Sequence, residues 1–267
     1  MKILFSKYHG TGNDFIIVDN RALQWEPTMH EVSLLCNRHF GIGADGLMLL
    51  NEKSGYDFAM RYYNSDGNES TMCGNGGRCM TAFAKSLGLI GHKASFWAVD
   101  GHHESEISGE ASSLIYRLKL KDTQIEKRFA DGLFLNTGSP HFVKFVDDAS
   151  TINLFREGRA LRNDARFAPG GTNVDFVELK GDTLFVRTYE RGVEDETLSC
   201  GTGVTASAIA AACEYPENPG FYLIETRGGS LKVSFTQNDE LFTNIWLEGP
   251  ASFVFKGEME DGKLASW

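Results

Sequence analysis

The chain repeats itself. Four blocks recur in one order: Thr11-Gly12-Asn13-Asp14-Phe15 resembles Thr137-Gly138-Ser139-Pro140-His141-Phe142, each followed by an apolar run ending in Asp19 or Asp147. Gly43-Ala44-Asp45-Gly46-Leu47 resembles Gly171-Thr172-Asn173-Val174-Asp175-Phe176. Arg61-Tyr62-Tyr63-Asn64 with Cys73-Gly74-Asn75-Gly76 resembles Arg187-Thr188-Tyr189-Glu190 with Cys200-Gly201-Thr202-Gly203, and Asp100-Gly101 resembles Arg227-Gly228. The spacing stays between 126 and 128 residues throughout. Such self-similarity constrains the fold before any propensity does. It predicts two halves of one design, with Cys73 and Cys200 equivalent across a pseudo-two-fold axis. Domains of ordinary size also make two the natural count for 267 residues.

Strand signals dominate within each half. Residues 56–63, 114–121, 183–189, 230–236 and 241–247 alternate apolar and polar side chains with a period near two. Three helices are expected. One covers 28–40, with Thr28 and Glu31 as a capping box and Val32, Leu35, Cys36, His39 and Phe40 on one face. The second covers 74–87 and stops at Gly88. The third covers 201–214. Its apolar and small residues, among them Val204, Ala206, Ala208, Ile209, Ala210, Ala211, Ala212 and Cys213, run almost all the way round, which marks a buried helix. The expected class is α+β: two pseudo-symmetric domains, each a curled, mostly antiparallel sheet around a central helix. The domains are expected at 1–121, completed by 249–267, and at 122–248.

Composition excludes several functions. Formal charge is −10 with no Lys/Arg cluster, so neither nucleic acid nor an anionic membrane is an expected partner. No apolar run approaches the length of a bilayer span, and the N-terminal residues lack the apolar core of a secretory signal. Five cysteines without a C-x-x-C pair read as reduced cytoplasmic thiols rather than a zinc site, so no metal is expected. Gly41-Ile42-Gly43-Ala44-Asp45-Gly46 spells a dinucleotide motif, but it follows a helical pattern and precedes an apolar run, the wrong context. His102 and His103 read as exposed loop residues, and Glu194-Asp195-Glu196 as a solvated turn.

Cys73 and Cys200 stand where a loop gives way to a helix. The first N–H groups of a helix lack internal acceptors and carry the positive end of its dipole. A thiol there is expected to ionise more readily, and the same N–H groups can hold a carboxylate. Inverting an amino-acid α-carbon needs a base on one face, an acid on the other, and donors for the charge that builds on the carboxylate. Two thiols at two helix starts supply all three without pyridoxal phosphate or a metal. Cys36, Cys79 and Cys213 lie inside helical patterns and read as packing.

These residues resemble the diaminopimelate epimerase family. His9-Gly10-Thr11-Gly12-Asn13-Asp14-Phe15, Asn64-Ser65-Asp66-Gly67 through Met72-Cys73-Gly74-Asn75-Gly76-Gly77-Arg78, and Glu190-Arg191-Gly192 through Cys200-Gly201-Thr202-Gly203 carry the likeness along nearly the whole chain. The resemblance implies a cytoplasmic, cofactor-independent epimerase of lysine and peptidoglycan synthesis that interconverts LL- and meso-diaminopimelate, a homodimer in many members. It implies Cys73 and Cys200 as the acid–base pair. Gly74, Asn75, Gly201 and Thr202 would hold the reacting carboxylate. Asn13, Asn64, Asn173, Glu190 and Arg191 would fix the rest of the substrate, and His141 and Glu190 would tune the thiols. The chain departs from the family pattern at Gly46, often Gln, and at Ser139, often Asn. Two competing readings are a proline or hydroxyproline racemase, which resembles Cys-Gly-His-Gly where this chain has Asn75, and a non-catalytic protein that binds a dibasic amino acid.

Overall fold

The computed structural model describes residues 2–110, 113–215 and 220–260. The chain divides into two compact units, Lys119–Gly249 and the remainder, which runs up to Leu118 and resumes at Pro250. The first unit carries β1 (Lys2–Gly10), β2 (Asn13–Asp19), α1 (Met29–Cys36), β3 (Gly46–Asn51), β4 (Phe58–Asn64), β5 (Glu69–Ser70), α2 (Gly74–Ser86), β6 (Lys93–Ala98), β7 (Gly101–Ser108) and β8 (Ile115–Lys119). The second carries β9 (Thr123–Phe129), β10 (Gly132–Asn136), β11 (Pro140–Phe145), α3 (Leu154–Arg162), β12 (Asn173–Lys180), β13 (Thr183–Glu190), β14 (Asp195–Thr197), α4 (Gly201–Glu214), β15 (Phe221–Thr226), β16 (Gly229–Asn238) and β17 (Leu241–Gly249). The last strand, β18 (Ser252–Glu260), pairs antiparallel with β1.

In the second unit the strands pair in the order β9-β10-β11-β12-β13-β15-β16-β17, and β17 returns to pair with β9. The sheet is therefore closed. Helix α4 packs against β10, β11, β12, β13, β15, β16 and β17, so it fills the barrel. The first unit repeats the order, with β18-β1-β2-β3-β4-β6-β7-β8 standing for the same positions and α2 packed on β1, β2, β3 and β7. The β2–β3, β4–β6, β11–β12 and β13–β15 pairs are parallel and the rest of these are antiparallel. The α+β class expected from the repeat is the one observed.

Period-two alternation sorts the side chains into two layers. On β11 and β12, Phe142, Val174 and Phe176 point outward to a cluster with Leu154 of α3. Val143 and Val177, the alternate residues, point inward to α4. His141 and Asp175 share the inward face. On β2 and β3, Ile16, Val18, Leu47 and Leu49 join α1 in the outer cluster, which leaves Phe15 and Met48 inward.

The central helices tolerate enclosure because their side chains are small. Eleven residues of α4 are buried, and its two buried hydroxyls bond back within the helix, Thr205 to the Gly201 carbonyl at 2.9 Å and Ser207 to the Gly203 carbonyl at 2.8 Å. Each thereby avoids the cost of an unpaired buried polar group. In α2, Thr81 does the same to Gly77 at 2.8 Å.

Three local expectations need correction. Helix α1 has its capping box, but it ends at Cys36. The Asn37 side chain accepts from the N–H groups of His39 (2.8 Å) and Phe40 (2.9 Å), a local turn that competes with another helical turn. Phe40 is consequently 73% exposed rather than on the packed face. His103 is buried on β7, bonded to Asp100 at 3.1 Å and stacked on Phe96; His102 is exposed on the same strand. Glu196 is no solvated turn residue, since it lies on β14 between Arg187 (2.8 Å) and Arg227 (3.0 Å). Gly46 opens a strand, β3, which rules out a helix-opening dinucleotide loop there.

Because α4 is enclosed on all sides, bulk at its centre has nowhere to go. Ala210→Leu is expected to cost about 1–3 kcal/mol in urea unfolding, the usual penalty of overpacking. An unchanged midpoint would show that the barrel is loosely filled.

Candidate active site

Both cysteines of the repeat occupy the N-cap of a buried helix. Cys73 precedes α2 with φ −96° and ψ 135°, and Cys200 precedes α4 with φ −107° and ψ 113°, so the backbone enters each helix from an extended conformation. Neither side chain takes up a capping hydrogen bond. Both thiols thus stand at the positive end of a helix dipole. The glycines after them allow close approach. A Cβ at Gly203 would lie 2.4 Å from Asp175 Oδ1, so only glycine lets α4 start against β12.

The surroundings of the two thiols differ. Beside Cys73, the Asn13 side-chain oxygen lies 3.7 Å from the thiol sulfur and accepts from Asn75 Nδ2 at 3.2 Å. Asn13 is oriented from behind by Asp45, which accepts its amide N–H at 2.7 Å and is itself paired with Arg38 at 2.8 Å. On the helix side, Asn75 Oδ1 accepts from Arg78 at 2.9 Å. The Arg78 guanidinium is fully buried and also donates to the carbonyls of Gly74 and Pro250, both at 3.3 Å. Burial pulls its pKa below the usual value, and the nearby thiols Cys79 and Cys73 oppose that pull. A buried cation thus backs the first turn of α2.

Beside Cys200 the charge is negative. Burial first, then the carboxylates of Glu190 and Asp175, push this thiol well above its ordinary value, with the Thr202 hydroxyl and the Gly203 N–H acting in the other direction. The expectation of an easily ionised thiol therefore fails at Cys200, because the helix start there is desolvated and faces acids. Asp175 and His141 are both fully buried, with Asp175 Oδ2 2.7 Å from His141 Nδ1. His141 Nε2 lies 2.9 Å from Thr202 Oγ1, which lies 3.4 Å from Cys200 Sγ.

The remaining expected residues divide between the units. Asn64 ends β4 in the first unit, opposite Gly46. Gly46 has no room for a side chain, because a Cβ there would lie 2.5 Å from the Tyr62 ring. In the second unit, Asn173 spends its amide within the protein. It donates to the Pro140 carbonyl and accepts from the Arg191 backbone N–H at 2.8 Å, so it shapes the loop after Glu190. The half-buried Arg191 side chain reaches the Gly170 carbonyl at 3.3 Å. Sequence reasoning missed Arg78, Asp45 as a partner of Asn13, and Asp175. The available signal for Asp175 was a lone acid inside the apolar run Val174–Val177.

The remaining thiols are packing groups. Burial drives Cys36 and Cys79 up to about 12 and raises Cys213.

The family model described as diaminopimelate epimerase matches residues 5–118 and 133–254. The chain belongs to the diaminopimelate epimerase family. It is 50% identical to the diaminopimelate epimerase of Flavobacterium psychrophilum over 94% of this chain and 97% of that one. It is 40% identical to the protein of that name from Chlorobaculum tepidum, over 93% and 98%. Among solved structures it resembles in fold a phenazine biosynthesis protein of the PhzF family from Bacillus anthracis, with TM-score 0.77, 14% identity and coverage of 97% and 99%. It also resembles a hydroxyproline epimerase from Agrobacterium vitis, with TM-score 0.73, 13% identity and coverage of 97% and 92%.

The family's N-terminal motif has a structural part that can be tested. Asp14 follows Asn13 and is paired with buried Lys7 and with Arg38, both at 2.7 Å. Burial alone would raise its pKa, but the Arg38 and Lys7 hydrogen bonds outweigh burial and hold it at about 2, below the ordinary 3.8. A carboxylate depressed in the folded state stabilises the protein above its unfolded pKa and loses that contribution as pH falls through the folded value. The shift corresponds to about 2 kcal/mol. Asp14→Asn should lower the unfolding free energy by at least about this amount at neutral pH. The gap to wild type should close between about pH 4 and pH 2 in urea titrations. A gap independent of pH would contradict the ion-pair account.

Proposed function

We infer that this chain is a diaminopimelate epimerase, an isomerase that interconverts LL- and meso-diaminopimelate in lysine and peptidoglycan biosynthesis. The observation that carries the reading is the paired arrangement. Each unit opens its buried helix on a cysteine followed by glycine, in a chain 50% identical to a protein named for that reaction.

The chemistry follows from what each group can do. The substrate's reacting end presents a carboxylate, and backbone N–H groups at Gly74, Asn75, Gly201 and Thr202 are donors aimed at where charge develops as the α-proton leaves. One of Cys73 and Cys200 takes that proton as thiolate, while the other delivers a proton to the opposite face as thiol. Their roles exchange for the reverse reaction. No pyridoxal phosphate or metal takes part in this scheme.

The distal end of the substrate carries a second ammonium and a second carboxylate. The half-buried Arg191 side chain is the group we assign to that carboxylate, because its planar fork suits bidentate pairing. Asn64 and Glu190 end register-equivalent strands and would complete the distal contacts. Asn75 weighs against a proline-type racemase, since it is buried and locked between Asn13 and Arg78.

We place the enzyme in the cytoplasm as a homodimer. Among the described residues no helix is long and apolar enough to cross a membrane. Leu4, Phe253, Val254 and Phe255 on the β1–β18 ribbon are exposed apolar side chains that a second copy would cover.

The purified chain should convert LL- to meso-diaminopimelate without added cofactor. Cys73→Ala and Cys200→Ala should each lower turnover by about 10³-fold or more while remaining folded by circular dichroism, because neither thiol can act on both faces. Cys213→Ala should keep activity. Near wild-type turnover in either Cys73→Ala or Cys200→Ala would sink the two-thiol reading.

A further inference from the structure

The two units share a scaffold but not the polar groups behind their thiols. Strand register makes the comparison residue by residue. Met48 lies between Ile17 and Tyr62, and Asp175 lies between Val143 and Thr188, in the corresponding strands. One step along, Phe15 stands opposite Gly46, and His141 opposite Asn173. The inward positions that hold Phe15, Met48 and Tyr62 in the first unit therefore hold His141, Asp175 and Thr188 in the second. Glycine contacts agree: a Cβ at Gly76 would meet Met48 Sδ at 3.2 Å, whereas one at Gly203 would meet Asp175 Oδ1 at 2.4 Å. The Phe15 and Tyr62 rings pack edge to face. Three polar groups replace this packing only behind α4.

Those polar groups form a chain with a defined direction. The ionised Asp175 carboxylate only accepts hydrogen bonds. It takes one from the Thr188 hydroxyl at 2.7 Å and one from His141 Nδ1 at 2.7 Å. Nδ1 therefore carries the ring hydrogen of the neutral imidazole, and Nε2 is the acceptor. The Thr202 hydroxyl, 2.9 Å away, donates to Nε2, which leaves its oxygen to accept from the Cys200 thiol at 3.4 Å.

We propose that Asp175 is a positioning residue for Cys200, holding His141 so that its Nε2 draws a proton from the thiol through the Thr202 hydroxyl. The Cys200 proton passes to the Thr202 oxygen as the Thr202 hydroxyl proton passes to Nε2. The products are a thiolate and an imidazolium, and the imidazolium is paired with the Asp175 carboxylate. Reprotonation of Cys200 runs the same shift backwards. Two acids face this thiol, Glu190 from the end of β13 and Asp175 from β12, so a thiolate here needs a compensating cation, and His141 on β11 becomes that cation. The groups beside Cys73 differ. That thiol faces the Asn13 oxygen, with buried Arg78 behind its helix start.

This proposal rests on the reading of Cys200 as a proton-transfer thiol, and its test keeps the two apart. In wild-type protein without substrate, ¹⁵N-histidine NMR should show His141 with its hydrogen on Nδ1. Asp175→Leu removes the acceptor and should move the hydrogen to Nε2; should that variant not fold, Asp175→Asn is read in the same way through kcat. For diaminopimelate turnover, Asp175→Leu should lower kcat by about 100-fold with KM changed less than severalfold, because Asp175 is buried away from substrate. Thr202→Val should lose as much, and Thr202→Ser, which keeps the hydroxyl, should retain most of the activity. The double variant Asp175→Leu/Thr202→Val should be no worse than either single, since both cut one relay. An Nε2–H tautomer in the wild type, multiplied losses in the double variant, or an effect confined to KM would overturn the proposal. Absence of diaminopimelate turnover by a wild type with Nδ1–H would instead overturn the proposed function.

Discussion

Each unit depends on burying a helix by its full circumference while leaving its first turn usable. An enclosed helix cannot hydrate its terminal N–H groups from the side, so whatever stands at its start feels an undiluted dipole. The sequence meets this demand by making α4 mostly of alanine, glycine, threonine and other small residues, which fit inside a closed barrel. It also places glycines after each cysteine, so strands and helix start can meet at van der Waals distance. The closeness of Gly203 to Asp175 is the clearest case. Packing and chemistry are the same requirement there, since the helix that fills the barrel also carries the thiol.

Around that shared frame the charges diverge. Behind α2 lies a buried guanidinium, Arg78, whose partners are carbonyls and an amide rather than a carboxylate. Behind α4 lies a buried carboxylate, Asp175, with an imidazole between it and the helix start. A racemase, whose two substrates are mirror images, could use two equivalent halves. The LL and meso stereoisomers are not mirror images, so a cation behind one thiol and an acid–imidazole pair behind the other fits the proposed reaction, in which the two thiols would act from opposite faces.

Much of this was legible in the sequence, because repeats and helix starts are local. The bounds of α4 follow from Cys200-Gly201 and the apolar run. The α2 stop follows from Gly88, whose φ is +72°. Partnerships across the sheet were not legible. Asp175 reads as an anomaly in an apolar strand, but the residue that answers it, His141, lies 34 positions away and meets it only through the β11–β12 register. Arg78 is visible in the sequence only as the end of a motif, because its burial depends on the Gly74 and Pro250 carbonyls, the latter 172 positions away, as well as on Asn75. His103 was misplaced for a related reason: strand β7 begins one residue after Asp100, and the alternation that buries His103 is visible only once the β6–β7 hairpin is known. The early end of α1 was hidden because Asn37 competes through its own side chain, which hydrophobic periodicity does not register.

The central claim is that two groups, one on each face, carry the proton. The most direct measurement follows LL-diaminopimelate in deuterium oxide at early conversion. Two thiols predict deuterium at the inverted centre of the meso product, with almost none in the LL substrate that remains. Deuterium entering the residual LL pool as fast as product forms, or meso product that keeps its original hydrogen, would mean that a single base serves both faces and would contradict the account.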